Sequence, residues 1–267
     1  MNSYGVIEKY EPISELDLKI EELKNLGYTT LRSRYSEGEI KEIRDAALDV
    51  ELIYKNQYQN YRLDEIGEAN SFRAPGLMNP ILWKPASNRY LQELLTKMIA
   101  GKHYLNQQNL VINPPNSDNY SQLRFHRDLP YQHYVSSRPL AINALYAVDD
   151  FTIENGATYV VPASHKSELF PSDNFINNSQ IQIPVKAGTF LVLDCMLYHA
   201  AASNRTISPR IGLNHVYSTP MLRPQIEWAK VFSENSQIFP TNANELLGLD
   251  FTPPTSVAEF LSNRRNK

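Results

Sequence analysis

The chain has 267 residues, 42% apolar and 21% charged, with a formal net charge of −3 and a single cysteine. Its interspersed charges leave no basic footprint for a polyanion, so nucleic-acid binding is not expected, and the basic tail from Arg264 to Lys267 is too short to alter that. One cysteine excludes an intrachain disulfide and suits the reducing cytoplasm, and no apolar run approaches the roughly 20 residues of a membrane helix.

Taken in chain order, the opening MNSYGVIEKYEP lacks the basic-then-apolar pattern of a signal peptide. Leu16, Ile20, Leu23 and Leu26 then recur at helical spacing after Ser14, and Gly27 stops that helix. A second helix opens at Ser36-x-x-Glu39, a capping box whose side chains satisfy unpaired amides, with Ile40, Ile43, Ala47 and Val50 on one face. The stretch Tyr54–Pro80 is polar and aromatic without clear periodicity, and a third helix is predicted from about Asn88 to Ile99.

From Leu110 onward short β-rich runs follow one another: Leu110–Ile112, Leu123–Phe125, Leu140–Val148, Thr158–Val161, Ile181–Val185, Thr189–Leu193 and Ile211–Tyr217. Turn residues separate them, as expected of a sandwich or barrel. Cys195, in the apolar run Phe190–Leu197, reads as a buried small hydrophobe. After several prolines, a short helical pattern covers Val257–Leu261. With no internal repeat or low-complexity linker, one domain over 1–267 is expected: a helical part to about 105, a β core over about 106–218, and an extension over 219–267.

The sharpest local feature is His126-Arg127-Asp128. In an extended segment residues i and i+2 face the same side, so an imidazole and a carboxylate can address one metal ion. His199, 73 residues later and just after an apolar strand, can supply a third ligand. Two histidines and a carboxylate on one face of an octahedral ion leave positions open for oxygen and a co-substrate. Spacing alone leaves His103, His133, His165 and His215 as alternatives to His199.

The order of motifs from about 122 to 217 resembles the phytanoyl-CoA dioxygenase family of iron(II)/2-oxoglutarate oxygenases. It runs His126-x-Asp128, the strand Leu140–Val148, Asp149-Asp150-x-x-x-x-Asn155-Gly156, Pro162-Ala-Ser164-His165, then Gly188 to Asp194 leading into His199. Arg210 stands eleven positions beyond His199, with Asn204 and Pro209 between them, and Asn25-Leu-Gly-Tyr-Thr-Thr-Leu resembles the family's N-terminal opening.

The resemblance implies a double-stranded β-helix, a cupin-like jelly roll with flanking N-terminal helices, that binds Fe(II), 2-oxoglutarate and O2. It implies His126, Asp128 and His199 as metal ligands and catalytic residues, and Arg210 as the clamp on the distal carboxylate of 2-oxoglutarate. A guanidinium binds a carboxylate through two parallel hydrogen bonds, which suits that role. Asn113, thirteen residues before His126, and Asn143, polar within an apolar strand, are further candidates for cofactor contact. The family's frequent serine two positions after the distal histidine is Ala201 here, so one contact is absent or supplied elsewhere. Ser164 and His165 read as structural.

Gln132, leaving the metal segment, is a candidate for substrate contact, and Arg73, Asn70 and Tyr61 are candidates for the substrate entrance. The implied reaction is hydroxylation of an aliphatic C–H bond of a small molecule, releasing succinate and carbon dioxide. Asp128 argues against a halogenase, Arg210 against a metal cupin without 2-oxoglutarate, and the full ligand set against an inactive scaffold. The amide- and aromatic-rich stretch Tyr54–Asn70 favours a polar substrate. Nothing in the sequence sets the substrate's identity or the oligomeric state.

Overall fold

A computed structural model describes residues 4–99, 101–116 and 120–265; the end of the basic tail, Asn266 and Lys267, lies outside them. The helices are α1 (Glu15–Leu26), α2 (Glu37–Gln57), α3 (Trp83–Ala86), α4 (Arg89–Met98), α5 (Asp173–Ser179), α6 (Trp228–Glu234), α7 (Ala243–Leu247) and α8 (Val257–Arg265). The strands are β1 (Tyr28–Arg32), β2 (Ser71–Arg73), β3 (Tyr104–Asn113), β4 (Ala141–Ala147), β5 (Tyr159–Val160), β6 (Ile181–Gln182), β7 (Thr189–Asp194), β8 (His199–Ala200) and β9 (Arg210–Ser218).

The helix signals act as their chemistry requires. Ser14 accepts the amide of Asp17 at the start of α1, and both halves of the Ser36/Glu39 box are formed at α2. Asn88 accepts two amides at the start of α4. Gly27 ends α1 with φ +82°, a left-handed turn that costs glycine little. A Cβ there would stand 2.5 Å from the His165 ring. The turn drops the chain into β1, which pairs with β7 from Tyr28↔Leu193 to Arg32↔Thr189.

All strand pairs are antiparallel. One sheet has the order β1-β7-β4-β9-β3-β2 and a smaller one β6-β5-β8. Alternation divides the larger sheet into two faces. Ile142, Ala144, Tyr146, Ile211, Leu213 and Tyr217 join Ile43, Ala47 and Val50 of α2 and Leu91 and Leu94 of α4 in the main apolar core. The other face, carrying Val111, Asn143, Leu145 and Asn214, looks across a shared cavity toward His199 of the smaller sheet and the adjoining Thr158 and Ala201. This two-sheet antiparallel sandwich is the expected jelly-roll core. No helix among the described residues is long and apolar enough to cross a membrane.

Several elements depart from expectation, among them the expected strand Ile181–Val185, which is limited to Ile181–Gln182. Leu123–Phe125 is not a strand: Ser121–Leu123 forms a 3₁₀ turn and the following residues are extended. β1 was not anticipated as a strand. β2 lies inside the stretch that carries no periodicity, and it pairs at the sheet edge from Ser71↔Val111 to Arg73↔Asn109. β3 begins six residues before Leu110, through the polar run Asn106–Asn109. That run is stable in a buried strand because its amides are paired. Gln108 donates to the Leu82 carbonyl at 2.8 Å and accepts from Gly76 at 3.1 Å, and Asn106 donates to Ser218 at 3.1 Å. The C-terminal segment folds back on the helical layer: Trp83 donates to Ile238 at 3.0 Å, Trp228 to Leu105 at 2.8 Å, and the two indoles meet edge to face.

Candidate metal centre

His126 and His199 exchange backbone hydrogen bonds at 2.9 and 3.1 Å, and the Asp128 amide donates to Cys195 at 3.0 Å. The extended segment 126–128 is thereby laid against the chain entering β8. The two imidazoles are 4.6 Å apart between ring centres. His126 Nε2 lies 3.8 Å and His199 Nε2 3.6 Å from Asp128 Oδ1, and the three donor atoms fall within 4.8 Å of one another. They form the one three-residue donor group of this kind among the described residues. With metal–ligand distances of roughly 2 Å, such a group can surround one ion.

The ring nitrogens are sorted by the backbone. His126 Nδ1 lies 2.8 Å from the Arg124 carbonyl and His199 Nδ1 2.9 Å from the Leu197 carbonyl. A carbonyl only accepts, so each Nδ1 carries the proton and each Nε2 keeps its lone pair toward Asp128. Burial depresses the His199 pKa, against the pull of Asp128, which favours the neutral ring a metal needs. Asn143 donates to Asp128 Oδ2 at 2.8 Å, fixing the carboxylate and leaving Oδ1 toward the histidines.

Arg127, between the two, points the opposite way and is only 3% exposed. Its guanidinium donates to the carbonyls of Ser164 (3.0 Å), Ser167 (2.6 Å), Glu168 (3.1 Å) and Gln132. Ser164 also accepts the Tyr198 amide at 2.8 Å and so holds the residue before His199.

The other histidines are engaged elsewhere. His215 is fully buried on the core face, against the Ala144 carbonyl at 3.2 Å, and desolvation pushes its pKa down to about 4. His165 contacts the Lys24 carbonyl, His103 faces Gln92, and His133 lies against the Glu168 carbonyl.

Arg210 opens β9, is 3% exposed, and lines the same cavity as the three donors. Its Nε and Nη1 are buried and have no hydrogen-bond partner among the described residues. The neighbouring Asp149 carboxylate is occupied by Arg44 at 2.8 Å and the Ile211 amide at 2.9 Å. The guanidinium instead lies 4.1 Å above the Phe151 ring, and burial lowers its pKa to about 10. A buried cation with unspent donors is costly unless an anion completes it. The cavity thus combines a metal-binding group and an unpaired guanidinium, which fits a ligand with a metal-chelating end and a distal carboxylate. Val111, Leu145 and Leu193 contribute its apolar walls.

Asn143 lines this cavity with one of its two amide N–H groups on Asp128, and its Oδ1 is buried without a partner among the described residues. Asn113 is fully buried beside Arg210 in the β3–β9 register and donates to the Ala202 carbonyl at 2.9 Å, outside the cavity lining. Gln132 does not reach the cavity either, because its amide folds back onto the carbonyls of Arg127 (3.2 Å) and Leu129. Tyr61 and Arg73 line a separate cavity with Tyr54 and Tyr58, where Glu68 accepts from Arg73 at 2.7 Å. Asn70 adjoins β2, and its carbonyl accepts the Ile112 amide at 3.0 Å. Unanticipated lining residues are Tyr120, Gln122, Thr158 and Asn214. Asn214 carried the same signal as Asn143, a polar residue inside an apolar strand.

The fold and the site define a jelly-roll oxygenase of the kind built on two histidines and one carboxylate. Residues 23–212 match the family described as phytanoyl-CoA dioxygenase (PhyH), and the chain belongs to that family. It is a 2-oxoglutarate-dependent dioxygenase that uses Fe(II), 2-oxoglutarate and O2. Among its relatives, "Uncharacterized protein Rv1501" of Mycobacterium tuberculosis is 24% identical over 94% of this chain and 93% of its own length. "Dioxygenase af480" of Aspergillus fumigatus is 34% identical over 41% of this chain and 36% of its own. The fold is also that of EctD from S. alaskensis, solved with 2-oxoglutarate and 5-hydroxyectoine. That match has a TM-score of 0.65 and 21% identity and covers 82% of each chain.

Proposed function

We propose that this dioxygenase hydroxylates an aliphatic C–H bond of a small, polar metabolite or biosynthetic intermediate in the cytoplasm. His126, Asp128 and His199 hold the iron, and Arg210 holds the distal carboxylate of 2-oxoglutarate. The observation that carries the residue assignment is the buried Arg210 guanidinium, unpaired and open to the cavity that contains the three metal-binding atoms. In the overall reaction R–H, 2-oxoglutarate and O2 give R–OH, succinate and carbon dioxide.

Bound iron and 2-oxoglutarate supply the oxidising chemistry. The chain supplies placement. Leu197 and Arg124 fix the ring tautomers, Asn143 orients the carboxylate, and Arg210 fixes the length and direction of the co-substrate. Val111, Leu145 and Leu193 keep water from the reacting end. Asp128 favours hydroxylation over halogenation, because its carboxylate takes the coordination position a halide would need. The polar groups of Gln122, Thr158 and Asn214 in the cavity support a substrate that carries hydrogen-bonding groups.

The test is substrate-dependent succinate formation. Protein loaded with ferrous iron and 2-oxoglutarate without oxygen is mixed with candidate compounds, then exposed to air. Polar aliphatic compounds should yield one equivalent of hydroxylated product per succinate. A chlorinated main product in the presence of chloride, or turnover confined to unfunctionalised hydrocarbons, would overturn the reading.

A further inference from the structure

Among the described residues, Arg210 is not the only unspent donor that lines the cavity. Tyr120, in the approach to His126, lines the same cavity and is 6% exposed. Its hydroxyl has no hydrogen-bond partner among the described residues. Burial raises the phenol pKa to about 12 even though Arg210 pulls it down, so the hydroxyl keeps its proton at neutral pH. A guanidinium accepts no hydrogen bond, so the phenol cannot be satisfied by Arg210 itself. Two donors of this kind lining one cavity can converge on a single anionic acceptor. A carboxylate has about four lone-pair sites, and the arginine fork fills two.

Ala201, on the wall beside His199, presents only a methyl group. We propose that Tyr120 is a cofactor-binding residue whose phenol donates to the distal carboxylate of 2-oxoglutarate alongside Arg210. The assignment rests on that carboxylate lying at Arg210. The cavity holds one other hydroxyl donor close to Ala201. Thr158 adjoins the β5–β8 pair at the position opposite Ala201, by extension of the register Tyr159↔Ala200. Tyr120 is favoured over it because the long phenol lines the cavity together with Arg210, whereas the short Thr158 side chain stands beside Ala201 on the His199 wall.

The test is calorimetric binding to ferrous-loaded protein without oxygen, which needs no turnover. Two ligands are compared: 2-oxoglutarate, and 2-oxobutyrate, which keeps the chelating 2-oxo acid and lacks the distal carboxylate. Tyr120→Phe should weaken 2-oxoglutarate about tenfold or more, as expected for a hydrogen bond to a charged group, and leave 2-oxobutyrate unchanged. Thr158→Val should change neither. Equal 2-oxoglutarate affinity in Tyr120→Phe and the parent would overturn the proposal, as would equal weakening of both ligands, or a loss found in Thr158→Val instead. Arg210→Ala in the same assay separates the two readings. If it too leaves 2-oxoglutarate binding intact, the carboxylate is not at Arg210 and the clamp itself is misplaced.

Discussion

Asn143 reaches from the middle of β4 to give its amide hydrogen to Asp128 Oδ2 at 2.8 Å. One oxygen of the carboxylate is thereby tethered, and the other faces His126 and His199. In the proposed assignment the residue would act on the metal through Asp128. Asn143→Leu should therefore weaken ferrous binding by about 10–100-fold, the usual cost of losing such a partner. The leucine preserves the apolar packing of the strand. An iron titration with unchanged affinity would show that Asp128 needs no support.

Replacing His199 by alanine should abolish iron binding and turnover, since each of the three side chains supplies one protein ligand. His165→Ala should retain iron, because that ring contacts the Lys24 carbonyl behind the Gly27 turn. Metal content of the two purified variants decides between them. Iron retained in the first and lost in the second would reverse the assignment.

Arg210→Ala leaves the metal donors in place and removes the unpaired guanidinium. A charge-assisted contact contributes about 1.5–3 kcal/mol, so half-saturation by 2-oxoglutarate should rise roughly tenfold to over a hundredfold. Lysine should restore only part of this, because an ammonium does not reproduce the planar fork. Identical 2-oxoglutarate titrations for parent and alanine variant would remove Arg210 from the site.

His215 gives the protein a pH-dependent stability. Desolvation lowers its folded pKa to about 4 from 6.5, so the unfolded chain takes up the proton first as pH falls. The associated stability is present above pH 6.5, declines below it, and is lost by about pH 4. The shift corresponds to on the order of 3 kcal/mol. Asp194 works in the opposite sense over part of this range. Its buried carboxyl is raised from 3.8 to about 6, so its contribution improves as pH falls toward 4. Comparing denaturant unfolding of the parent and His215→Gln isolates the histidine: their stability difference should shift toward the variant between pH 7 and pH 4. A difference independent of pH would contradict a neutral, buried His215.

What could be read from the chain was what local chemistry determines. Ser14, Ser36 with Glu39, and Asn88 announce helix starts through bonds made within three residues, and those helices form there. The position of His126 and Asp128 on one side needs only the alternation of an extended segment. Side chains whose partners are distant were not legible. Gln108 looks like a surface residue until Leu82 and Gly76 are brought against it. Gln132 follows the metal segment closely but spends its amide on its own loop, and Arg73 meets Glu68 beside a different cavity. Tyr120 gives no sequence signal at all, because its importance depends on where Arg210 comes to lie.

The alternation that points His126 and Asp128 inward turns Arg127 outward, where carbonyl groups from the segment 164–168 and from Gln132 converge on it. The arginine thus works as a rivet through the wall of the sandwich, with the His126 and Asp128 side chains on one side and an outer loop on the other. The outer loop and the two donors beside Arg127 thus share one anchor, and Ser164 adds a second through the Tyr198 amide.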